Sequence, residues 1–234
     1  MIQTPKINLI HGDCMDLLRK TPDNHYQLAV IDPPYGLGVK TMDGGGYAKK
    51  WRKFGSAESA AESYNIKKWD AEVPTDEYFA ELFRVSQNQI IWGVNYFELP
   101  PYRCAIVWDK MQPCDNFADV EIAWTSFDRV ACIYRNRNHG IFRDSKTIHP
   151  TQKPINLYKW ILEKFAKPGD RILDTHGGSM SIAIACYDLG FDLDLTELDK
   201  DYYDAGVARF ERHRAQGQLF HAPATQLPEQ QKMF

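Results

Sequence analysis

The 234-residue chain has no run of about 18 consecutive apolar residues, so no membrane-spanning helix is expected. Its opening stretch, MIQTPKINLIHGD, lacks the charged-then-apolar layout of a secretory leader, and a cytoplasmic location is the expectation. Cysteine is scarce. The five residues, Cys14, Cys104, Cys114, Cys132 and Cys186, are odd in number, dispersed and without a C-x-x-C pair. That argues against a disulfide framework and against a zinc site, and no metal is expected. An excess of charge of one sign is also missing. Lysine and arginine total 28 against 31 acids, for a net charge of −3, so bulk charge does not point to nucleic acid and only local clusters could. What is present is ordinary for a globular domain: 44% hydrophobic and 25% charged residues, enough for a sizeable core.

The apolar pattern alternates short buried runs with amphipathic stretches. Ile7–Ile10, Gln27–Ile31, Gln89–Gly93, Ala105–Trp108, Glu121–Thr125, Val130–Tyr134, Arg171–Leu173 and Phe191–Thr196 read as strands. Asp13–Lys20, Thr75–Ser86, Asn156–Phe165, the stretch after Gly177 to Leu189, and Asp201–Arg214 read as helices. Such alternation predicts an open, mostly parallel α/β sheet of Rossmann-like type with helices on both faces. A single domain over 1–214 is expected. Residues 36–70, with Gly44-Gly45-Gly46, show no clean period and read as a lid-like loop. Residues 215–234 are Gln/Pro-rich with little apolar content and read as a flexible tail.

The strongest local signal is Asp32-Pro33-Pro34-Tyr35, directly after a buried strand. In open α/β sheets, ligands bind just beyond the carboxyl ends of strands. An exocyclic base amine is a poor nucleophile because its lone pair is delocalised into the ring. The carboxylate of Asp32 and the carbonyl of Pro33, whose ring also removes a competing N–H, could accept the amine's two N–H bonds and free that lone pair. Tyr35 offers a flat face for an extruded base. A plain strand-ending turn is the bland alternative. Further on, a strand runs into Asp174-Thr175-His176-Gly177-Gly178-Ser179-Met180 and then a helix, with Glu197 ending the next strand. Glycines let backbone approach a ligand, exposed N–H groups suit a carboxylate, Asp174 suits an ammonium, and an acid in Glu197's place commonly grips ribose hydroxyls.

These segments resemble the DNA amino-methyltransferases. Asp32-Pro33-Pro34-Tyr35 is similar to their catalytic motif, and His149-Pro150-Thr151-Gln152-Lys153-Pro154 to the segment before the cofactor helix. Ile172-Leu173-Asp174 with Gly177-Gly178-Ser179 is similar to their cofactor turn, and Gly12-Asp13 to a small acidic motif. The catalytic motif precedes the cofactor turn, the order of the permuted beta-type group, and the small size resembles phage-type enzymes, so a bacterial or phage-encoded origin is implied. The resemblance implies S-adenosylmethionine as cofactor, duplex DNA as partner, and direct transfer to adenine N6 of a flipped base. It implies catalytic roles for Asp32, Pro33, Pro34 and Tyr35. It implies cofactor contacts for Asp13, Gln152, Lys153, Asp174, His176, Gly177, Gly178, Ser179 and Glu197. His176 and Met180 depart from the family pattern, which has an aromatic and a glycine at those places.

Two basic groups are candidates for DNA contact: Lys49, Lys50, Arg52 and Lys53 in the long loop, and Arg129, Arg135, Arg137, Arg143 and Lys146 further on. By resemblance, residues from about 110 to 148 form a small target-recognition insertion. A homodimer stays open. The ending Gln230-Gln231-Lys232-Met233-Phe234 resembles peptides that bind bacterial sliding clamps, although a featureless tail fits as well. Cytosine-N4 transfer, a DNA-binding module without catalysis, and a methyltransferase for RNA or protein stay open as alternatives.

Overall fold

A computed structural model describes residues 4–36, 73–111, 118–136 and 147–220. Eight strands form one sheet: β1 (Ile7–His11), β2 (Tyr26–Ile31), β3 (Ser86–Trp92), β4 (Ala105–Asp109), β5 (Val120–Thr125), β6 (Cys132–Arg135), β7 (Arg171–Asp174) and β8 (Asp192–Glu197). The helices are α1 (Cys14–Leu18), α2 (Asp76–Val85), α3 (Ile155–Phe165), α4 (Ser181–Leu189) and α5 (Lys200–Phe220), with a short 3-10 turn at Val94–Tyr96.

The strand order is β1-β8-β7-β2-β3-β5-β4-β6. Neighbours are parallel except along β5, which runs against both β3 and β4. β4 and β5 pair antiparallel from Asp109↔Val120, and the Lys110 amide donates to the Asp119 carbonyl where the two strands meet.

Side chains alternate between two cores because successive strand residues face opposite ways. Leu28, Val30, Ile90, Trp92 and Ile172 pack with α3, α4 and α5, whereas Ala29, Ile31, Ile91 and Leu173 pack with α1 and α2. Covering both faces explains why the carboxyl-terminal halves of β2 and β3, Leu28–Ile31 and Ile90–Trp92, are continuous apolar runs. In α2, Thr75 caps the first turn by accepting from the Tyr78 amide, and Tyr78, Leu82 and Val85 form its buried stripe.

Within the span 110–148, β5 and β6 belong to the sheet, and Ala123 and Trp124 are buried in it. The last helix continues to Phe220, past residue 215, because low apolar content weakens packing without interrupting the helical ladder. The loop at 36–70 falls almost wholly outside the described residues, as does the chain from 221 onward. Among the described residues, no helix is long and apolar enough to cross a membrane.

The topology also fixes where a ligand can sit. β2 and β7 are adjacent and parallel, but the chain leaves β2 towards β3 and leaves β7 towards β8. The connections diverge, and a crevice opens at the carboxyl ends of these two strands.

Candidate active site

Asp32 follows β2 and Asp174 ends β7, so the two segments singled out in the sequence flank this crevice. A cavity of about 630 Å³ occupies it. Asp13, Asp32 and Pro34 line one part, Gln152 and Lys153 another, and His176, Gly177, Gly178, Ser179 and Glu197 a third. Asp174 is 2% exposed and sits behind that lining.

Asp32 is held on both oxygens. The Tyr35 hydroxyl donates to Oδ1 at 2.6 Å, and the Lys153 ammonium lies 2.5 Å from Oδ2. Lys153 also reaches Glu121 Oε2 at 3.1 Å, and Glu121 Oε1 takes Lys110 at 2.6 Å. Burial and the nearby Glu121 charge raise the Asp32 carboxyl above its usual range, while Lys153 and Tyr35 oppose the rise. Burial works against the Lys153 ammonium too, but Asp32 and Glu121 outweigh it and hold the amine protonated. Lys153 lines the cavity, yet its ammonium is spent on two carboxylates, so its first tie is to the Asp32 motif.

Tyr35 stacks on Tyr96 with ring centres 4.6 Å apart and planes 14° from parallel, and meets Phe97 edge-on. Gly93 makes room for the ring. Its φ of +81° suits glycine, and a Cβ there would lie 2.3 Å from Tyr35 Cε1. Pro33 is buried, and Pro34 faces the cavity.

The Asp174–Met180 turn is laced to its surroundings. The His176 amide donates to Asp174 Oδ1 at 2.9 Å, and the Gly178 amide donates to Glu197 Oε2 at 2.7 Å. Glu197 Oε1 accepts from the Asp199 amide at 2.8 Å. From α5, Arg209 donates to the Ser179 carbonyl at 2.6 Å and to the Ser181 hydroxyl at 2.9 Å. Burial pushes the Asp174 carboxyl up to about 8 and the His176 imidazole down to about 4, so His176 is neutral near pH 7. The His176 ring meets Tyr78 edge-on, and its Nδ1 shares a hydrogen bond with Thr175, which is bonded in turn to the Tyr78 hydroxyl. Asp13 caps α1 through the Met15 amide, and Gln152 accepts from the Ile148 amide. Met180, where the resembled family has glycine, adopts a left-handed φ of +56° and is fully buried.

A family model described as DNA methylase, covering N6 and N4 types, matches residues 92–208, half of the chain. The chain belongs to this DNA methylase family. Two Escherichia coli proteins are similar over most of their length. One, the methylase YubD, is 24% identical over 222 residues, covering 86% of this chain and 88% of that protein. The other, the DNA adenine methyltransferase YhdJ, is 26% identical over 245 residues, covering 87% of this chain and 82% of that protein. Among solved structures, the M1.HpyAVI–SAM complex superposes with a TM-score of 0.53 at 18% identity, covering 87% of this chain and 99% of that one. The cytosine-N4-specific PvuII DNA methyltransferase gives 0.54 at 13% identity, covering 91% of this chain and 92% of that one. These structural likenesses establish the Rossmann-like methyltransferase fold.

The matched span of the methylase starts at Trp92 and holds Lys153, the glycine turn and Glu197, while Asp32–Tyr35 lies before it. Sequence reasoning missed Glu121, Tyr96 and Arg209. Each acts through a partner far away in the chain, and no local motif marks such a pair. Glu121 is an acid inside a strand pattern, which by itself reads as a solvent-facing position. Of the expected DNA contacts, Arg135 is exposed at the cavity end of the sheet and pairs with Asp109 at 3.3 Å. Arg129 lies elsewhere. It follows β5, which starts at the cavity end and runs away from it, and its guanidinium lies over Phe165 and donates to the Lys164 carbonyl. It therefore sits at the opposite end from Asp32. Lys49, Lys50, Arg52, Lys53, Arg137, Arg143 and Lys146 lie outside the described residues, as does the clamp-like ending Gln230–Phe234.

Proposed function

We propose that this DNA methylase transfers a methyl group from S-adenosylmethionine to N6 of an adenine turned out of the duplex. The observation that carries the reading is the position of Asp32, at the tip of β2 and on the wall of the cavity that the glycine turn and Glu197 also line.

The residues present fit the cofactor. Asp13, Glu197 and Asp199 line the cavity, whereas Lys153 is paired with Asp32 and Glu121, and Lys200 with Asp204. Such an acid-rich cavity favours a ligand carrying ammonium and sulfonium charges. The turn at Gly177 and Gly178 would hold the cofactor's amino-acid part, with Asp174 towards its ammonium, and Glu197 would take ribose hydroxyls. His176, neutral by burial, offers a ring edge beside an adenine without bringing a positive charge. When bound, the cofactor supplies an electrophilic methyl on sulfur.

The chain's own residues prepare the amine. An ionised carboxylate has about four acceptor positions. Lys153 and Tyr35 use part of that capacity on Asp32, which leaves room for an N–H of the target amine. Accepting that N–H directs the nitrogen lone pair at the methyl, and the proton lost after transfer goes to the same carboxylate. The burial of Asp32 and Lys153 strengthens these interactions, because charges and hydrogen bonds act more strongly away from water. Aspartate at the head of the motif, rather than serine, resembles the adenine enzymes more than the cytosine-N4 ones.

Plasmid from an expressing host, digested to nucleosides and read by mass spectrometry, tests the assignment. N6-methyladenine is expected. N4-methylcytosine in its place would move the substrate to cytosine, and no methylated base of either kind would overturn the reading. Asp32→Ala is expected to lower transfer by more than about 100-fold. Calorimetry should show cofactor binding retained in that variant, because Asp32 is assigned to the base.

A further inference from the structure

Glu121 has no part in the motifs above, yet it is wired to the centre of the site. Four charged groups form an alternating chain, Asp32, Lys153, Glu121 and Lys110, with contacts of 2.5, 3.1 and 2.6 Å. The side chain of Lys153 is only 2% exposed, and its ammonium also lies 5.2 Å from the Trp92 ring centre. The ammonium is therefore boxed by two carboxylates and an aromatic face. Lys110 fixes the far side of the Glu121 carboxylate and so sets the direction from which Glu121 pulls.

We propose that Glu121 is a positioning residue for methyl transfer: from β5 it draws the Lys153 ammonium to the Oδ2 edge of Asp32 and keeps the rest of that carboxylate open to the target amine. This rests on the function proposed above. A buried ammonium facing one carboxylate closes onto it and neutralises it, whereas an ammonium shared by two leaves each with acceptor strength. Asp32 needs that strength, because it must take an N–H from a weakly basic amine while Tyr35 already donates to its other oxygen. The groups facing Asp32 are Lys153 before α3, Tyr158 on α3, Glu121 on β5, Asp174 on β7 and Tyr35 on its own segment. Glu121 is the member of this set that contacts Lys153 but not Asp32.

The test compares Glu121→Gln and Glu121→Asp with the wild type in the full chain. Thermal melting checks that each is folded. Glu121→Gln is expected to lower kcat by on the order of tenfold or more, with KM for DNA little changed, since only the placement of a reacting group is disturbed. Removing the negative charge at 121 should also move the acid limb of kcat to lower pH, because that charge raises the Asp32 carboxyl. Glu121→Asp should recover part of both effects. Independently of turnover, the side-chain carboxyl of Asp32, assigned by NMR with Asp32→Asn, should titrate at lower pH in Glu121→Gln. A folded Glu121→Gln with unchanged kcat and unchanged Asp32 titration would overturn the proposal. So would loss of kcat with no movement of the acid limb or of the titration, which is the mark of a merely structural residue. If the wild type methylates no DNA, the proposed function fails, while the carboxyl titration still decides whether Glu121 governs Asp32 through Lys153.

Discussion

Tyr35 shows how one side chain can serve two ends. Its hydroxyl donates to Asp32, and its ring stacks on Tyr96 in a space left by Gly93. The two contributions separate by mutation. Tyr35→Phe removes the hydroxyl and keeps the stack, so transfer should fall by roughly tenfold, the worth of one hydrogen bond to a charged group. Tyr35→Ala removes both and should lose considerably more, since an aromatic platform for a base is worth about 1–3 kcal/mol by itself. Single-turnover methyl transfer on one duplex substrate checks the order. Equal losses in the two variants would mean that the ring itself contributes nothing.

The segment entering α4 carries a compensation between elements. Met180 sits in the left-handed region, which costs a non-glycine residue about 1–2 kcal/mol. Its side chain is fully buried, and α5 opposes it with a glycine. A Cβ on Gly206 would lie 2.7 Å from Met180 Cγ and 3.2 Å from the Gly178 carbonyl oxygen. The absence of a side chain at Gly206 is what leaves room for Met180. Met180→Gly should therefore relieve backbone strain but leave a hole, for a net loss of roughly 1–3 kcal/mol. Gly206→Ala should destabilise the native chain by crowding Met180, and should be less harmful, or favourable, in the Met180→Gly background. Denaturant melts of the two single variants and the double variant form the cycle that tests this.

Across the whole molecule, the buried ionisable groups of the cavity couple stability to pH. His149 and His176 are held down to about 4, against 6.5 for a free imidazole. The unfolded chain takes up those protons first, so this part of the stability is present above pH 6.5 and fades on acidification towards 4. Asp174 has the opposite sign. Its carboxyl is raised from 3.8 to about 8, so the folded chain keeps a proton that the unfolded chain has lost. The stability it contributes is full below 3.8 and is lost as pH rises through 8. Between pH 6.5 and 8 the histidines no longer contribute a slope, and melting temperature should decline. Asp174→Asn should flatten that decline, making the variant more stable than the wild type at pH 8.5 by a larger margin than at pH 5. The same change should weaken cofactor binding, the usual trade where a site stores an unfavourable group. Thermal melts of both proteins across pH 5–8.5 decide it.

The sequence by itself determined the elements and the two ends of the site. Buried runs such as Gln27–Ile31 and the striped Thr75–Ser86 carry their own period, and Asp32–Tyr35 and Asp174–Ser179 are contiguous motifs whose chemistry is local. Tertiary structure alone decided the direction of β5, which depends on which strand it meets, and with it the position of Arg129 at the far end of the sheet. It also decided that Lys153 serves Asp32, that Glu121 holds Lys153, and that Tyr96 meets Tyr35. The reason is physical: a backbone's periodicity is written in neighbouring residues, whereas a buried ammonium finds its carboxylates only after the sheet has brought distant strands side by side.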